Sequence, residues 1–186
     1  MREKTLTQKC LYRGRLLGLE AQDVELEDGR RAFREIVRHG PAVAILARRP
    51  DGRFVLVRQF RKPVESELLE AVAGNREPDE DAAVCARREL EEETGYRALS
   101  LVPLGFIYPS PGYVDERIDL FFAEVGDAAG APRPDDDERL EPVLLTRDEV
   151  RRAIRDGTIH DGKTLAVWLR YELYSERTGD ADHGTA

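Results

Sequence analysis

An α/β (α+β) fold, a mixed β-sheet sandwiched between helices with a small N-terminal antiparallel β-sheet ahead of it, is predicted by the order of apolar patterns along the chain. Short alternating apolar runs fill the first part of the sequence, a single helical period occupies the middle, and two more helical periods follow the last strand-like run. The 186 residues suffice for one compact domain with a small appended sheet, and 41% hydrophobic against 35% charged residues is a globular composition.

From Leu6 to Arg38, apolar residues such as Leu16, Val24, Leu26, Phe33 and Ile36 alternate with charged ones, and Asp28-Gly29 sits between two runs. This is the pattern of a β-meander with a tight hairpin. Residues 1–39 are assigned to that meander, 40–176 to the main domain and 177–186 to a polar, frayed tail. Pro41 opens the apolar stretch 42–47, which Pro50-Asp51-Gly52 turns into 54–60, giving two paired strands, and 68–72 is a further short run before Gly74. Pro78-Asp79 announces a helix over about 80–94, with Asp79 as N-cap, Glu80 and Asp81 at the positive end of the dipole, and Gly95 as the left-handed C-terminal residue. Strands are expected around 100–107 and 118–125, then an irregular Gly-, Ala-, Pro- and Asp-rich loop over 126–137 and a strand over 140–145. Thr146 caps a helix over 147–155, and a last amphipathic helix covers 162–176.

The 29 basic and 37 acidic residues leave a net charge of −8 with no basic stripe, which argues against a nucleic-acid partner. A phosphate-bearing substrate then needs local arginines or bound cations. With two cysteines, no apolar leader and no run of about 20 apolar residues, the chain reads as a reduced cytoplasmic protein with no membrane partner. Cys85, alone on a helix, reads as packing material rather than as a nucleophile.

The segment 74–96 carries the chemistry. On a helix advancing about 100° per residue, Glu89, Glu92 and Glu93 share an arc of about 100°, beside an apolar stripe of Ala83, Ala86, Leu90 and Thr94. Like charges at these spacings oppose the helix, so the cluster is either a solvated acidic face or a site for a hard divalent cation. Spacing decides for the cation: Gly74, Glu80, Arg88-Glu89-Leu90, Glu92-Glu93 and Gly95 match the Nudix box at every fixed position, with only its final aliphatic place taken by Tyr96.

The chain therefore resembles the Nudix hydrolases, and within them the ADP-ribose pyrophosphatases. The resemblance implies metal binding by Glu89, Glu92, Glu93 and the Ala73 carbonyl, with Glu92 also able to assist the nucleophilic water, and orientation of the cluster by Arg88. Glu80 either joins that machinery or simply suits a helix start. Pro111, fifteen residues after Tyr96 in Ser110-Pro111-Gly112, resembles the subfamily's proline marker, although an ordinary turn explains it too. In Asp136-Asp137-Glu138, Glu138 aligns with the subfamily's catalytic carboxylate, with Asp136 as alternative or helper. Arg58-Gln59-Phe60-Arg61 resembles the Gln-x-Arg element whose arginine, here Arg61, faces the diphosphate or terminal ribose, with Arg58 as a further substrate contact, and Glu116 follows the Ser-Pro-Gly turn as a further cleft residue or a surface ion-pair partner. The implied cofactor is Mg²⁺, with Mn²⁺ as substitute, and the implied partner is a nucleotide sugar. A homodimer with exchanged N-terminal strands is implied as well, Tyr12 or Phe33 reaching the partner's adenosine pocket. Rival readings are hydrolysis of GDP-mannose or another nucleotide sugar, and a non-catalytic nucleotide-sugar sensor.

Overall fold

The computed structural model describes residues 2–133 and 139–179. The chain forms two compact units: residues up to Pro41 together with Tyr108–Arg117, and Ala42–Ile107 together with the residues from Ile118 onward.

The first unit is an antiparallel meander of β1 (Glu3–Arg13), β2 (Leu17–Leu26) and β3 (Arg31–His39). Its second turn sits where Asp28-Gly29 predicts it, with Gly29 at φ 80°, a left-handed geometry that favours glycine. The segment Tyr108–Arg117 is stitched to β3: Val37 N–H donates to the Tyr113 carbonyl at 2.7 Å, and Asp115 N–H donates to the Val37 carbonyl at 3.2 Å.

The second unit is built on a seven-stranded sheet of β4 (Ala42–Arg48), β5 (Phe54–Arg61), β6 (Ser66–Glu70), β7 (Val72–Asn75), β8 (Ala98–Ile107), β9 (Ile118–Val125) and β10 (Leu140–Leu145). Its main path runs β10-β5-β4-β9-β8, with β6 on β5 and β7 on β4. The sheet is mixed because β4 and β9 are parallel, while the other pairs are antiparallel.

Strand alternation sorts the core into two layers. Ala42, Ala44 and Leu46 share a cluster with Val150 of α2 (Arg147–Arg155) and with Val167, Trp168 and Tyr171 of α3 (Gly162–Thr178). Val43, Ile45 and Ala47 share the opposite cluster with Cys85, Ala86 and Leu90 of α1 (Ala82–Thr94). Both faces of β4 are therefore buried, as its unbroken apolar run requires.

One irregularity in the sheet creates the site. Strands β4 and β5 pair only at Ala47↔Val55 and Arg48↔Phe54, and beyond that each takes a different partner. Strand β6 lies on β5 and β7 lies on β4, with Ala71 alone between them. This crossover delivers Ala73 and Gly74 to the flank of α1.

The helix ends correct two expectations. The N-cap of α1 is Asp81, not Asp79: its carboxylate accepts Ala83 N–H at 2.8 Å and Val84 N–H at 3.3 Å. An N-cap needs an extended backbone, which Asp81 has at φ −67° and ψ 140°, whereas Asp79 sits at φ 63° inside the preceding turn. Helix α3 continues through Thr178, closed by Gly179 at φ 68°. Helix α2 has the expected Thr146 cap, completed by Glu149 into a capping box.

Leu90 is wholly buried between α1 and the sheet. Replacing it with alanine is expected to lower unfolding free energy by about 2–5 kcal/mol, read from urea denaturation.

Candidate active site

Helix α1 turns its carboxylates away from the core in steps. Glu93 is 4% exposed, the Glu89 side chain 13% and the Glu92 side chain 43%. The order follows their angular distance from the apolar stripe, so the acidic arc begins inside the packed face rather than beside it. Sheltered carboxylates carry a desolvation cost that a nearby cation must offset.

Arg88 is the cation present. Its Nε and Nη2 each donate to Glu80 at 3.0 Å, one to each oxygen. Its Nη1 donates to Glu89 Oε1 at 2.8 Å and to Glu92 Oε2 at 2.9 Å, and Nη2 also reaches the Asn75 carbonyl at 3.3 Å. The guanidinium thus ties the end of β7, the turn before α1 and two residues of α1 into one network. Hydrogen bonding to Glu80 raises the Arg88 pKa, and the same contact lowers that of Glu80 to about 2. Glu80 also accepts Glu77 N–H at 3.0 Å, while Arg76 Nε donates to the Glu80 carbonyl at 3.0 Å. Burial pushes the Cys85 thiol up to about 12, so it stays protonated at neutral pH.

Gly74 lets the Glu89 carboxyl lie directly on the β7 backbone. A Cβ built there would stand 2.0 Å from Glu89 Cδ, so the β7 backbone and the Glu89 carboxyl are packed as closely as a hydrogen side chain allows. At the other end of α1, Gly95 has φ 73°, and a Cβ would fall 2.2 Å from the Gly130 carbonyl oxygen. Gly130 N–H donates to the Gly95 carbonyl and Arg133 N–H to the Glu92 carbonyl, both at 2.7 Å, so the loop after β9 satisfies carbonyls that the helix end leaves open. Between this loop and α1 lies a cavity of about 730 Å³, lined among others by Arg88, Glu92, Gly95, Arg97 and Arg133.

Among the described residues, no three acidic, histidine or cysteine side chains are grouped at metal-binding spacing, and Glu89 and Glu92 each turn an oxygen to Arg88. The donor set nevertheless fits a hard divalent cation. Two sheltered carboxylates stand four residues apart on one helix face, a third lies at the rim, and the bare Gly74 backbone adjoins one of them.

The remaining candidates are distributed unevenly. Arg61 lies in the same unit as the acidic helix, with Nε and Nη2 on Glu70 at 2.8 and 2.7 Å. Arg58, three residues earlier in β5, points to the opposite face and stands 3.7 Å from Glu141 of the paired strand. Pro111, Gly112 and Glu116 belong to the other unit, where Tyr113 and Val114 N–H close a turn on the Ser110 carbonyl and Glu116 stands 3.8 Å from His39. Gly112 has no left-handed φ, and nothing crowds its α-carbon. Asp136 and Glu138 lie outside the described residues. Sequence reasoning missed Glu70 and its second partner, Lys163. The available signal was a single charge inside the apolar run Leu68-Leu69-Glu70-Ala71-Val72.

A mixed sheet between helices, with an acidic helix packed on a strand glycine, defines a class that comparison with known proteins identifies directly. The NUDIX domain matches residues 38–167, and the chain belongs to the Nudix hydrolases, which generally use a divalent metal ion. It is similar to an ADP-ribose pyrophosphatase of Bacillus subtilis (strain 168), at 38% identity over 165 residues, 88% of this chain and 89% of that one. A methanol dehydrogenase activator of Bacillus methanolicus is 41% identical over 164 residues, again 88% and 89% of the two chains. A GDP-mannose pyrophosphatase of Cronobacter sakazakii is 36% identical over 162 residues, 81% and 84% of the chains. The fold matches a crystal structure of an ADP compounds hydrolase with a TM-score of 0.84 at 22% identity, covering 96% of this chain and 97% of that one.

The depressed Glu80 pKa has a testable consequence for stability. A carboxylate lowered on folding stabilises fully above its unfolded pKa, about 4.3, and that stability is lost as pH falls toward about 2. In chelator-containing buffer, the stability gap between wild type and Glu80→Gln is expected to be constant above about pH 6 and to shrink between about pH 5 and 2. A gap independent of pH across that window would sink the Glu80–Arg88 assignment.

Proposed function

We propose that this Nudix hydrolase splits ADP-ribose into AMP and ribose 5-phosphate with Mg²⁺, for which Mn²⁺ can substitute. The observation that carries the reading is the sheltered Glu89–Glu93 pair, of which Glu89 lies against Gly74 and accepts from Arg88. The choice of ADP-ribose is supported by 38% identity to the Bacillus subtilis ADP-ribose pyrophosphatase over most of both chains.

In this reading Glu89, Glu92, Glu93 and the Ala73 carbonyl hold the metal, and Arg88 orients the carboxylates. When bound, the metal neutralises charge on the diphosphate and acidifies a water. Glu138, with Asp136 or Glu92 as helper, accepts the proton of the attacking water. That water's oxygen bonds to one phosphorus while the bridging P–O bond breaks, leaving one phosphate on each product. Arg61 faces the diphosphate.

Purified protein with Mg²⁺ is expected to release AMP from ADP-ribose. Glu93→Gln is expected to lower kcat by roughly 10²-fold or more with an unchanged circular dichroism spectrum, and unchanged turnover would remove Glu93 from the metal site. The second reading, a GDP-mannose pyrophosphatase, is favoured by the 36% identical relative. A panel of ADP-ribose, GDP-mannose, NADH and diadenosine polyphosphates ranked by kcat/KM separates the two. Ligand binding with no hydrolysis of any of them would instead identify a sensor.

We also place the enzyme in the cytoplasm as a homodimer. Among the described residues no helix is long and apolar enough to cross a membrane. Strand β1 is exposed along nearly all its length, and Leu11, Tyr12 and Phe33 of the meander are exposed, as fits a sheet that a second copy covers. Light scattering coupled to size exclusion is expected to give twice the chain mass; a monomer at micromolar concentration would overturn the dimer.

A further inference from the structure

Glu70 is the most deeply buried carboxylate described outside α1, with its side chain 1% exposed. It closes β6 immediately before the Ala71 crossover. Both its oxygens are taken by the Nε–Nη2 edge of Arg61, and Lys163 Nζ donates to Glu70 Oε2 as well. Lys163 also reaches Asp161 at 3.1 Å. Asp161 caps α3 by accepting Thr164 N–H at 3.0 Å and its hydroxyl at 2.6 Å, and the Thr164 hydroxyl oxygen in turn accepts Ala71 N–H at 2.8 Å. The start of α3 therefore grips the crossover through both its backbone and its charge.

This arrangement is more than charge neutralisation. A guanidinium bound edge-on through Nε and Nη2 has its plane fixed, and its Nη1 edge points away from the carboxylate. Arg61 lies on the α1 face of β5 with Val55 and Val57, its side chain is 36% exposed, and the Glu93 charge acts on it. Glu70, Arg61, Lys163 and Asp161 together carry no net charge, and the Asp161 carboxylate also meets the positive end of α3.

We propose that Glu70 is a positioning residue for substrate binding: it holds Arg61 so that the outer guanidinium edge meets the diphosphate, and Lys163 holds Glu70 in place. The inference rests on the diphosphatase reading above.

Steady-state kinetics with ADP-ribose and Mg²⁺ test it. Glu70→Gln is expected to raise KM by about 10-fold with kcat within about 3-fold of wild type. In an Arg61→Ala background the same change is expected to add almost nothing, because Glu70 acts through Arg61. Lys163→Met is expected to raise KM and Lys163→Arg to restore most of the loss. This pair carries the test if Glu70→Gln fails to fold, equal KM values for the two then overturning it. A fall in kcat at constant KM, or losses that multiply in the Arg61→Ala background, overturn the inference. Calorimetric titration of ADP-ribose in Ca²⁺ separates this from the parent reading. Wild type that binds ADP-ribose, with affinity about 10-fold weaker in Glu70→Gln, but hydrolyses none sinks the hydrolysis and keeps the positioning role. Hydrolysis with KM unchanged in Glu70→Gln sinks only the positioning role, and a wild type that neither binds nor hydrolyses ADP-ribose sinks both.

Discussion

Arg88 supplies the countercharge on which the acidic helix depends. Helix α1 carries Glu89, Glu91, Glu92 and Glu93 within five consecutive residues, and repulsion at helical spacings of three and four costs a few tenths of a kcal/mol per pair even at an exposed surface. Sheltering two of those carboxylates against the sheet raises the cost further. A single guanidinium offsets part of it by donating to Glu80, Glu89 and Glu92 together, a distribution that the planar five-donor fork allows and an ammonium does not. The carboxylates that Arg88 gathers from α1 belong to the set that would share a divalent cation. In the proposed reading, structural and catalytic demands on the helix would be met by the same groups.

The backbone around the helix is arranged to keep that charge cluster in place. Because β4 and β5 diverge after two residue pairs, β6 and β7 must fill the opening between them, and the chain has to cross from one partner to the other at Ala71. A crossover exposes backbone donors that a sheet would otherwise satisfy. Here Thr164 takes the Ala71 N–H, so the start of α3 fixes the strand that carries Ala73 and Gly74. The position of the glycine facing Glu89 is therefore set by a helix on the opposite face of the sheet.

Much of this was legible in the sequence where local chemistry decides. The hairpin at Asp28-Gly29, the Thr146 cap and the buried character of β4 follow from turn propensity, capping and an unbroken apolar run. The acidic arc was legible from helical spacing alone. Asp79 was misread as the cap because two neighbouring aspartates offer the same side chain, and only the left-handed φ at Asp79 distinguishes them. Arg58 and Arg61 share one short motif but face opposite ways, as residues three apart in a strand do, so the motif does not mean a shared surface. The lone charge of Glu70 in its apolar run was a local signal, but its contact with Lys163 spans 93 positions and no local pattern encodes it.

The two glycines that bound the helix show why a spacing pattern can be so strict. Gly95 would serve as an ordinary left-handed C-cap, a place where asparagine is tolerated. What forbids a side chain is the loop backbone lying across it, with Gly130 oxygen 2.2 Å from any Cβ and Gly130 N–H on the Gly95 carbonyl. At Gly74 the constraint is softer: a side chain would displace the Glu89 carboxyl from its place on the strand, and its backbone angles do not demand glycine. Both glycines are thus fixed by what packs on them, a site carboxylate at one end and, at the other, the loop that leads toward Asp136 and Glu138. A sequence pattern that holds glycine at both points therefore records tertiary contacts as well as helix chemistry.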